Sequence, residues 1–309
     1  MRFRQAMDRA LYGPDGFYRR PGPGPASHFR TSVHASPLFA AALATLVERL
    51  DAALGEPDPL DVVDVGAGRG ELLTGLLAAL PAPIAKRVRA TGVEMAPRPA
   101  ALAAAVAWTS EIPTELVGLL VATEWLDNVP LDIVEVDADG AVRYLDERLE
   151  LAEPIEPADA AWLARWWPLD PAATGARAEI GAPRDAAWRA AAGAVTRGLA
   201  LAVDYGHVSG QRPLFGSLTA FRSGREVDPV TDGSCDLTCA VAMDSLARGV
   251  QVRQREALKA LGAGGGRPPI ALATADPAGY VRALARAGEA AELTDAEGLG
   301  AHWWHFCWV

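Results

Sequence analysis

Apolar residues alternate between helical and strand-like spacing from residue 36 to residue 123. The run "SPLFAAALATLVERLDAAL" has helical periodicity, with Ser36 placed as N-cap, Pro37 at the first helical position and Gly55 after the last turn. Four runs predict strands: "LDVVDV" (60–65), "ATGVEM" (90–95), a weak one at 106–109 and "LVGLLVAT" (116–123). Helices are predicted between them at about 70–80 and 97–105. Strands that are apolar on both faces and alternate with helices indicate a parallel sheet covered on two sides.

This alternation stops after residue 130. The stretch "DIVEVDADGAVRYLDERL" predicts a hairpin around "DADG", and Trp-rich helical stretches follow at about 158–167 and 184–197. The sheet resumes with "LALAVDYG" (199–206), and further helices are predicted near 238–248 and 277–287. Two β-like runs, "AAELTD" and "AHWWHFCWV", suit an antiparallel hairpin at the edge of the sheet.

We therefore predict an α/β fold with a mostly parallel, Rossmann-like sheet and an antiparallel C-terminal edge strand. Residues 1–55 are expected to form an N-terminal helical segment with a loop. Residues 56–130 and 199–309 are expected to form the sheet domain. Residues 131–198 are predicted to be an inserted α+β subdomain that contacts a substrate or partner.

Composition and charge narrow the possible partners. The net charge of −10 argues against a general nucleic-acid binder, because neutralising phosphates requires a basic surface. We find neither a secretory signal nor an apolar run of about 18 residues, so membrane insertion is not expected. Three cysteines cannot pair completely, which favours a cytoplasmic protein. Cys235 and Cys239 have no second pair at zinc-site spacing, so no metal is predicted.

The turn "DVGAGRGEL" (64–72) is the first candidate binding site. Its three glycines permit backbone conformations and close approaches that a Cβ would forbid. Glu71 would repel a pyrophosphate at the start of the following helix, and no Gly-Lys-Ser/Thr sequence follows, so a dinucleotide or a P-loop nucleotide fits poorly. S-adenosylmethionine has no phosphate and carries a positive sulfonium. Asp64 and Glu94, each at the end of a strand, suit such a ligand, although both could simply cap the helices that follow.

The pattern D-x-G-x-G-x-G, with an acidic residue ending the next strand, resembles class I S-adenosylmethionine-dependent methyltransferases. Three further stretches resemble the MidA-like family: "ALYGPDGFY…HFRTSVHASPLFA", "ATEWLDNVPLDIVEV" and "LAVDYG…DLTCAV". That family includes the mitochondrial protein-arginine methyltransferase that assists complex I assembly. The resemblance implies S-adenosylmethionine as cofactor, a loop within residues 1–55 that covers it, and a protein substrate, for which a respiratory-complex subunit is the candidate by analogy with the family. Oligomeric state stays open.

The resemblance also implies roles for individual residues. Glu124 and Asp127 of "TEWLDNVP" would orient an arginine guanidinium, and Asp204 and Tyr205 of "VDYG" would face the same cleft. Their alternative roles are to cap or brace the loops. The predicted cofactor-binding residues are Phe29, Thr31, Asp64, Gly66, Ala67, Gly68, Gly70, Glu94, Met95, Trp108 and Glu124. Trp108 could stack on adenine or pack in the core.

One departure from the family pattern leaves two other functions open. The family's covering segment resembles Gly-Asp-Phe-x-Thr-x-Pro-Glu. Here Phe29 and Thr31 remain, His28 replaces the acidic residue, and "VHAS", which contains His34, replaces the Pro-Glu stretch. The resemblance as a whole still predicts a protein-arginine methyltransferase. The alternatives are a weakly active or inactive cofactor-binding assembly factor and a methyltransferase that acts on a small molecule.

Overall fold

Helices form the N-terminal part of the computed structural model, which describes residues 1–19, 31–246 and 248–309. They are α1 (Phe3–Tyr12), α2 (Ser32–Ala35) and α3 (Pro37–Leu54), with a 3-10 turn at Phe17–Arg19. The predicted limits of α3 are confirmed. The Ser36 hydroxyl accepts a hydrogen bond from the Leu38 amide at 3.0 Å, and Gly55 ends the helix with a left-handed φ of 77°.

Four strands and two short helices follow α3, and the four strands are those that the apolar pattern predicts. They are β1 (Leu60–Val65), α4 (Glu71–Ala79), α5 (Ala82–Ala85), β2 (Val88–Val93), β3 (Ala107–Thr109) and β4 (Leu116–Thr123). The predicted helix at 97–105 is wrong. Pro97 and Pro99 each lack a backbone N–H, and the Arg98 guanidinium donates hydrogen bonds to three carbonyl oxygens between residues 102 and 106. The Ala-rich run therefore folds as a loop around this guanidinium.

A smaller antiparallel sheet and two helices lie between the fourth strand and the return to the main sheet. They are β5 (Ile133–Val136), β6 (Val142–Leu145), β7 (Leu151–Pro154), α6 (Pro157–Trp166), β8 (Arg177–Glu179) and α7 (Ala182–Gly193). The strand order is β7-β6-β5-β8, and the predicted β5–β6 hairpin is confirmed. Trp162 and Trp167 pack in the core of this part, whereas Trp188 of α7 packs under the main sheet.

The C-terminal third returns to the main sheet and adds several short strands. Its elements are β9 (Val195–Asp204), β10 (Gly206–His207), β11 (Thr219–Arg222), β12 (Arg225–Val227), β13 (Asp236–Thr238), β14 (Val241–Ala242), β15 (Val250–Arg253), α8 (Gln254–Ala260), α9 (Ala271–Ala275), α10 (Pro277–Leu293) and β16 (Trp303–Trp308). The predicted helix near 238–248 is wrong, because this stretch contains β14 and a 3-10 turn, and β13 pairs with β11. The run "AAELTD" is the end of α10, since Ala290 and Leu293 pack at helical spacing in the core.

The main sheet has the order β15-β16-β9-β4-β1-β2-β3. Neighbours from β9 to β3 are parallel, and β16 is antiparallel to both β9 and β15. The predicted mostly parallel α/β sheet with an antiparallel edge is therefore confirmed, but the edge strand is β15, and the C-terminal strand β16 lies between β15 and β9. Because β1, β2, β4 and β9 run in the same direction, the residues that follow them meet at one edge of the sheet.

Two other features of the described residues complete the fold. Arg2 anchors α1 to the smaller sheet, because its guanidinium bonds to Asp132 at 2.7 Å and Glu156 at 2.6 Å and lies over the Tyr144 ring. None of the helices in the described ranges combines the length and apolarity that crossing a bilayer requires.

Candidate active site

A cavity of about 730 Å³ opens at the sheet edge where β1, β2, β4 and β9 end. Its two ends differ in chemistry. The glycine end is formed by residues 64–69, 71, 72, 93–95, 110 and 112, together with Thr31 and His34. The acidic end is formed by Asp127, Asn128, Tyr205, Asp236 and Thr238, with Tyr12 and Tyr18 from the N-terminal segment. Glu124 also belongs to the acidic end, and Trp125 lines the cavity as well.

The turn after β1 shapes the glycine end. Gly66, Gly68 and Gly70 have φ values of 75°, 57° and 82°, a region that side chains disfavour. One Glu94 oxygen accepts a hydrogen bond from the Gly68 amide at 3.1 Å, and the other accepts one from the Ala96 amide at 3.1 Å. Glu94 therefore links this turn to the end of β2.

Asp64 lies beneath the glycine turn in an unusual environment. The carboxyl is buried, and its Oδ1 has no hydrogen-bond partner within the described part of the chain. Burial, followed by the charges of Glu94 and Glu71, raises the pKa of Asp64 well above its ordinary value. A carboxyl held in this way is suited to a ligand that is positively charged or donates hydrogen bonds.

Residues 31–35 cover the glycine end. The Ser32 amide donates to Glu124 Oε1 at 2.9 Å, and Thr31 Oγ1 lies 2.6 Å from His34 Nδ1. The other ring nitrogen of His34 lies 3.4 Å from Glu71 Oε1. Burial raises the pKa of Glu71, but bonds from His34 and from backbone amides outweigh it, so this pKa is lowered overall.

Two hydrogen-bonded groups form the acidic end. In the first, the Tyr205 hydroxyl lies 2.6 Å from Thr238 Oγ1, which donates to Asp127 Oδ2 at 2.6 Å. In the second, Asp236 Oδ1 contacts the Tyr18 hydroxyl at 2.9 Å and the Asn128 side-chain amide at 3.0 Å. Both groups use β13, where alternate side chains face the same way.

Burial raises the pKa values of the carboxyl groups around the acidic end. It raises the pKa of Glu124 to about 7 and that of Asp236 to about 7. The pKa of Asp127 is also raised by burial, although the Thr238 hydroxyl and the charge of Arg184 oppose the shift. Glu124 also has a φ of 50°, which is uncommon for a residue with a side chain. Glu124 and Asp236 therefore keep their protons up to near neutral pH unless a bound cation stabilises their ionised forms.

Residues 40–262 match the model of a family described as "Putative S-adenosyl-L-methionine-dependent methyltransferase". The chain belongs to this family. Its predicted enzyme class, its cofactor and the MidA-like resemblance are thereby confirmed, whereas the methyl acceptor is not specified.

Two crystal structures from Burkholderia thailandensis resemble this methyltransferase. One, described as a "likely methyl transferase" bound to S-adenosyl-homocysteine, is 26% identical, with a TM-score of 0.77, and the match covers 99% of this chain and 87% of that one. The other, a native structure of an uncharacterized protein, is 27% identical, also with a TM-score of 0.77, and the match covers 100% and 87%. None of the curated proteins matches.

Most of the residues predicted for the methyltransferase site line the cavity. They are Thr31, Asp64, Gly66, Ala67, Gly68, Glu94, Met95, Glu124, Asp127 and Tyr205. Three others do not line it. Gly70 begins α4, Asp204 accepts hydrogen bonds from the Leu126 and Asp127 amides, and Trp108 packs against Gly92 while its indole donates to Ala96 O. Phe29 and His28 lie outside the described residues.

Sequence reasoning missed several residues that line the cavity of this methyltransferase, and six of them surround its acidic end: Tyr12, Tyr18, Trp125, Asn128, Asp236 and Thr238. All six lie within the stretches that carry the family resemblance, "ALYGPDGFY", "ATEWLDNVP" and "DLTCAV". Membership of those stretches was the available signal. Nothing local in them indicates that the two tyrosines and β13 meet.

Proposed function

We propose that this methyltransferase transfers a methyl group to a guanidinium nitrogen of an arginine in a partner protein. The observation that supports this acceptor is the set of three carboxyl groups, Glu124, Asp127 and Asp236, that face one cavity. Among the described lining residues, the only lysine or arginine is Arg69, which lies at the glycine end. A cationic acceptor suits these charges better than a neutral or anionic one.

The glycine end fits S-adenosylmethionine, which supplies an electrophilic methyl group on a sulfonium. The partnerless Asp64 Oδ1 would accept a hydrogen bond from the cofactor or face its positive charge. Glu94 would accept hydrogen bonds from the ribose hydroxyls, and the turn from Gly66 to Gly68 permits close approach. Thr31 and Met95 would complete the enclosure, and Phe29 stays a prediction.

The acidic end would bind and orient the acceptor. A guanidinium stays protonated and delocalised, and carboxylates that bind its N–H groups hold its charge away from the attacking nitrogen. Glu124 and Asp127 would perform this role. Asp204 positions Asp127 through the backbone amides of the 126–128 turn, and Tyr205 acts through Thr238.

Acidic side chains line the acceptor end, and we favour a partner protein over a small molecule because the family resemblance implies a protein substrate. The smaller sheet and helices of residues 131–193 adjoin this end, since the α7 residue Arg184 donates to Asp127 O at 2.6 Å. We assign this part to contact with the partner. A respiratory-complex subunit is the partner that the family resemblance suggests.

The altered covering segment favours a second candidate, an assembly factor that binds the cofactor without transferring a methyl group. His28 and "VHAS" replace acidic positions of the family pattern there. The bond from Ser32 to Glu124 and the contact between His34 and Glu71 nevertheless keep the described part of this segment against the cavity. For this reason we favour the active enzyme.

A methyl-transfer experiment tests the proposal. A lysate is incubated with S-adenosylmethionine carrying a labelled methyl group and with wild-type protein, Glu124→Gln or Glu256→Gln. Glu256 is the matched control, because it lies on α8, outside the cavity lining and outside residues 131–193, with the Arg255 guanidinium at 4.0 Å. We expect labelled methylarginine in protein hydrolysates from wild type and Glu256→Gln, and at least about tenfold less with Glu124→Gln. Label only in small molecules or methyl-lysine contradicts the acceptor, and no label favours the assembly factor.

A further inference from the structure

Asp236 is buried at the acidic end, although neither the glycine motif nor the "EWLD" motif contains it. It lies on β13, where Asp236 and Thr238 face the cavity while Leu237 between them packs in the core beneath α1. Its position therefore follows from the two-residue period of a strand. Both side chains that β13 directs toward the cavity are polar.

The Tyr18 hydroxyl beside Asp236 has two hydrogen-bond acceptors within reach but only one proton to donate. The Tyr18 hydroxyl lies 2.9 Å from Asp236 Oδ1 and 2.9 Å from Asn128 Oδ1, but it carries a single proton. The Asn128 amide group is already directed at Asp236 and at Leu237 O, which fixes its Oδ1 as an acceptor. Both Tyr18 contacts are satisfied together when Asp236 carries a proton and donates it to Tyr18.

The three carboxyls of the acidic end are held differently. Glu124 accepts a hydrogen bond from a backbone amide, and Asp127 accepts one from the Thr238 hydroxyl. Both donors can stay in place when the carboxylate pairs with a cation. Asp236 is held by Tyr18, whose proton can move with the charge of the carboxyl. Two carboxylates are thus suited to holding a planar cation, and the third is suited to exchanging a proton.

We propose that Asp236 is a further catalytic residue, which receives the proton lost by the acceptor nitrogen, and that Tyr18 is its positioning residue. This inference rests on the proposed arginine acceptor. The acceptor nitrogen forms a bond to the methyl carbon, the carbon–sulfur bond breaks with its electron pair left on sulfur, and one N–H proton passes to an Asp236 oxygen. Solvent takes up the proton when the product leaves.

The electrostatics of the site support this role. Burial, followed by the charge of Asp127, raises the pKa of Asp236 to about 7, while the bonds from Tyr18 and Asn128 oppose the shift. The titratable groups that face it are Asp127, Tyr18 and Tyr12, and burial raises the pKa of both tyrosines well above the ordinary value. Asp236, like Glu124, therefore changes its protonation near neutral pH. A bound guanidinium would favour its ionised form.

Carboxyl-carbon NMR of protein labelled at aspartate and glutamate side chains tests the inference without turnover. Asp236→Asn and Glu124→Gln assign the two signals, and ethylguanidinium serves as the probe, with ethylammonium as its control. We expect ethylguanidinium to lower the pKa of Asp236 by about 1 to 3. Tyr18→Phe should raise this pKa, because the bond that Tyr18 donates to the ionised carboxylate is charge-assisted and therefore stronger than the bond that it accepts from the protonated form. Tyr12→Phe should leave it unmoved, because the Tyr12 hydroxyl bonds to Asn128 O at 3.2 Å instead.

Single-turnover methylation of ethylguanidinium provides the kinetic readout. Asp236→Asn should slow transfer by about 10²–10⁴-fold and make the rise in rate near neutral pH shallower, because only Glu124 of this pair then titrates there. Tyr18→Phe should move part of that rise to higher pH. If ethylguanidinium moves the Glu124 signal and not that of Asp236, the assignment of Asp236 is wrong and the arginine acceptor stands. If neither signal responds, both proposals fail. Tyr18→Phe keeps the test decisive even if Asp236→Asn does not fold.

Discussion

Replacing Asp64 with asparagine should weaken cofactor binding and strengthen folding. The carboxyl is buried, and its Oδ1 has no partner within the described residues. Burial, together with the charges of Glu94 and Glu71, raises the pKa of Asp64 well above its ordinary value. Asparagine keeps the shape of the side chain and removes its ionisation. The change therefore separates what the carboxyl does for the ligand from its cost to the fold.

The magnitudes follow from the environment of Asp64. A hydrogen bond to a charged group contributes about 1.5–3 kcal/mol, so its loss should weaken S-adenosylmethionine binding about 10- to 150-fold. When folding raises the pKa of an acid, the protein loses stability as the pH rises above the pKa that the acid has in the unfolded state. Asp64→Asn should therefore raise the free energy of unfolding at neutral pH by about 0.5–2 kcal/mol, and by less at low pH.

Calorimetric titration with S-adenosylmethionine and urea unfolding measure the two effects. Asp61→Asn is the matched control on the same strand, because Asp61 is buried but bonds to Arg89 at 2.6 Å and 3.0 Å and to the Val117 amide at 2.9 Å. That variant should lose stability and keep its cofactor affinity. An Asp64→Asn protein that is less stable and binds the cofactor normally would refute the reasoning.

Three further predictions concern the sheet, the N-terminal helix and pH. Gly118→Ala places a Cβ 2.1 Å from a carbonyl oxygen of β1 at a φ of 146°, so urea unfolding should show a loss of at least about 3 kcal/mol, whereas Gly193→Ala has open space and should lose nothing. Arg2→Ala removes the ion pair with Asp132 that anchors α1, the helix that carries Tyr12 to the acidic end. The acceptor KM should therefore rise, while cofactor affinity, measured by calorimetry, is unchanged. The methyl-transfer rate should rise with pH through about 7, because Glu124 must ionise to bind a cation; a flat profile would contradict this role.

The central sheet could be predicted from sequence because its signals are local. The mostly apolar runs 60–65 and 116–123 show no amphipathic pattern, so each is predicted to be a strand that is buried on both faces of the sheet. The glycine turn is equally local, since its conformation depends on residues within one short stretch. The helix predicted at 97–105 is wrong although its determinants are also local, because apolar spacing does not show that the Arg98 guanidinium bonds to carbonyl oxygens of the same stretch.

The acidic end could be predicted only in part. Glu124 and Asp127 follow a strand, so their place at the sheet edge can be inferred from the strand alone. Tyr18 and Asp236 reach the same point through α1 and β13, whose docking depends on contacts between distant segments. Trp108 shows the converse, because its place after a strand suggested a ligand contact, yet its ring packs over Gly92.

The contact between Tyr18 and Asp236 joins positions 218 residues apart in the chain, and Tyr18 reaches Asn128 across 110 residues. During synthesis from the N-terminus, the first of these contacts must wait until most of the protein has left the ribosome. Contacts of such long range also form slowly, because a large loop must close before they stabilise anything. The glycine turn needs only its local strand–helix neighbourhood. A nascent chain therefore assembles the turn early and the acidic end late, so that acceptor binding reports that the whole chain has folded.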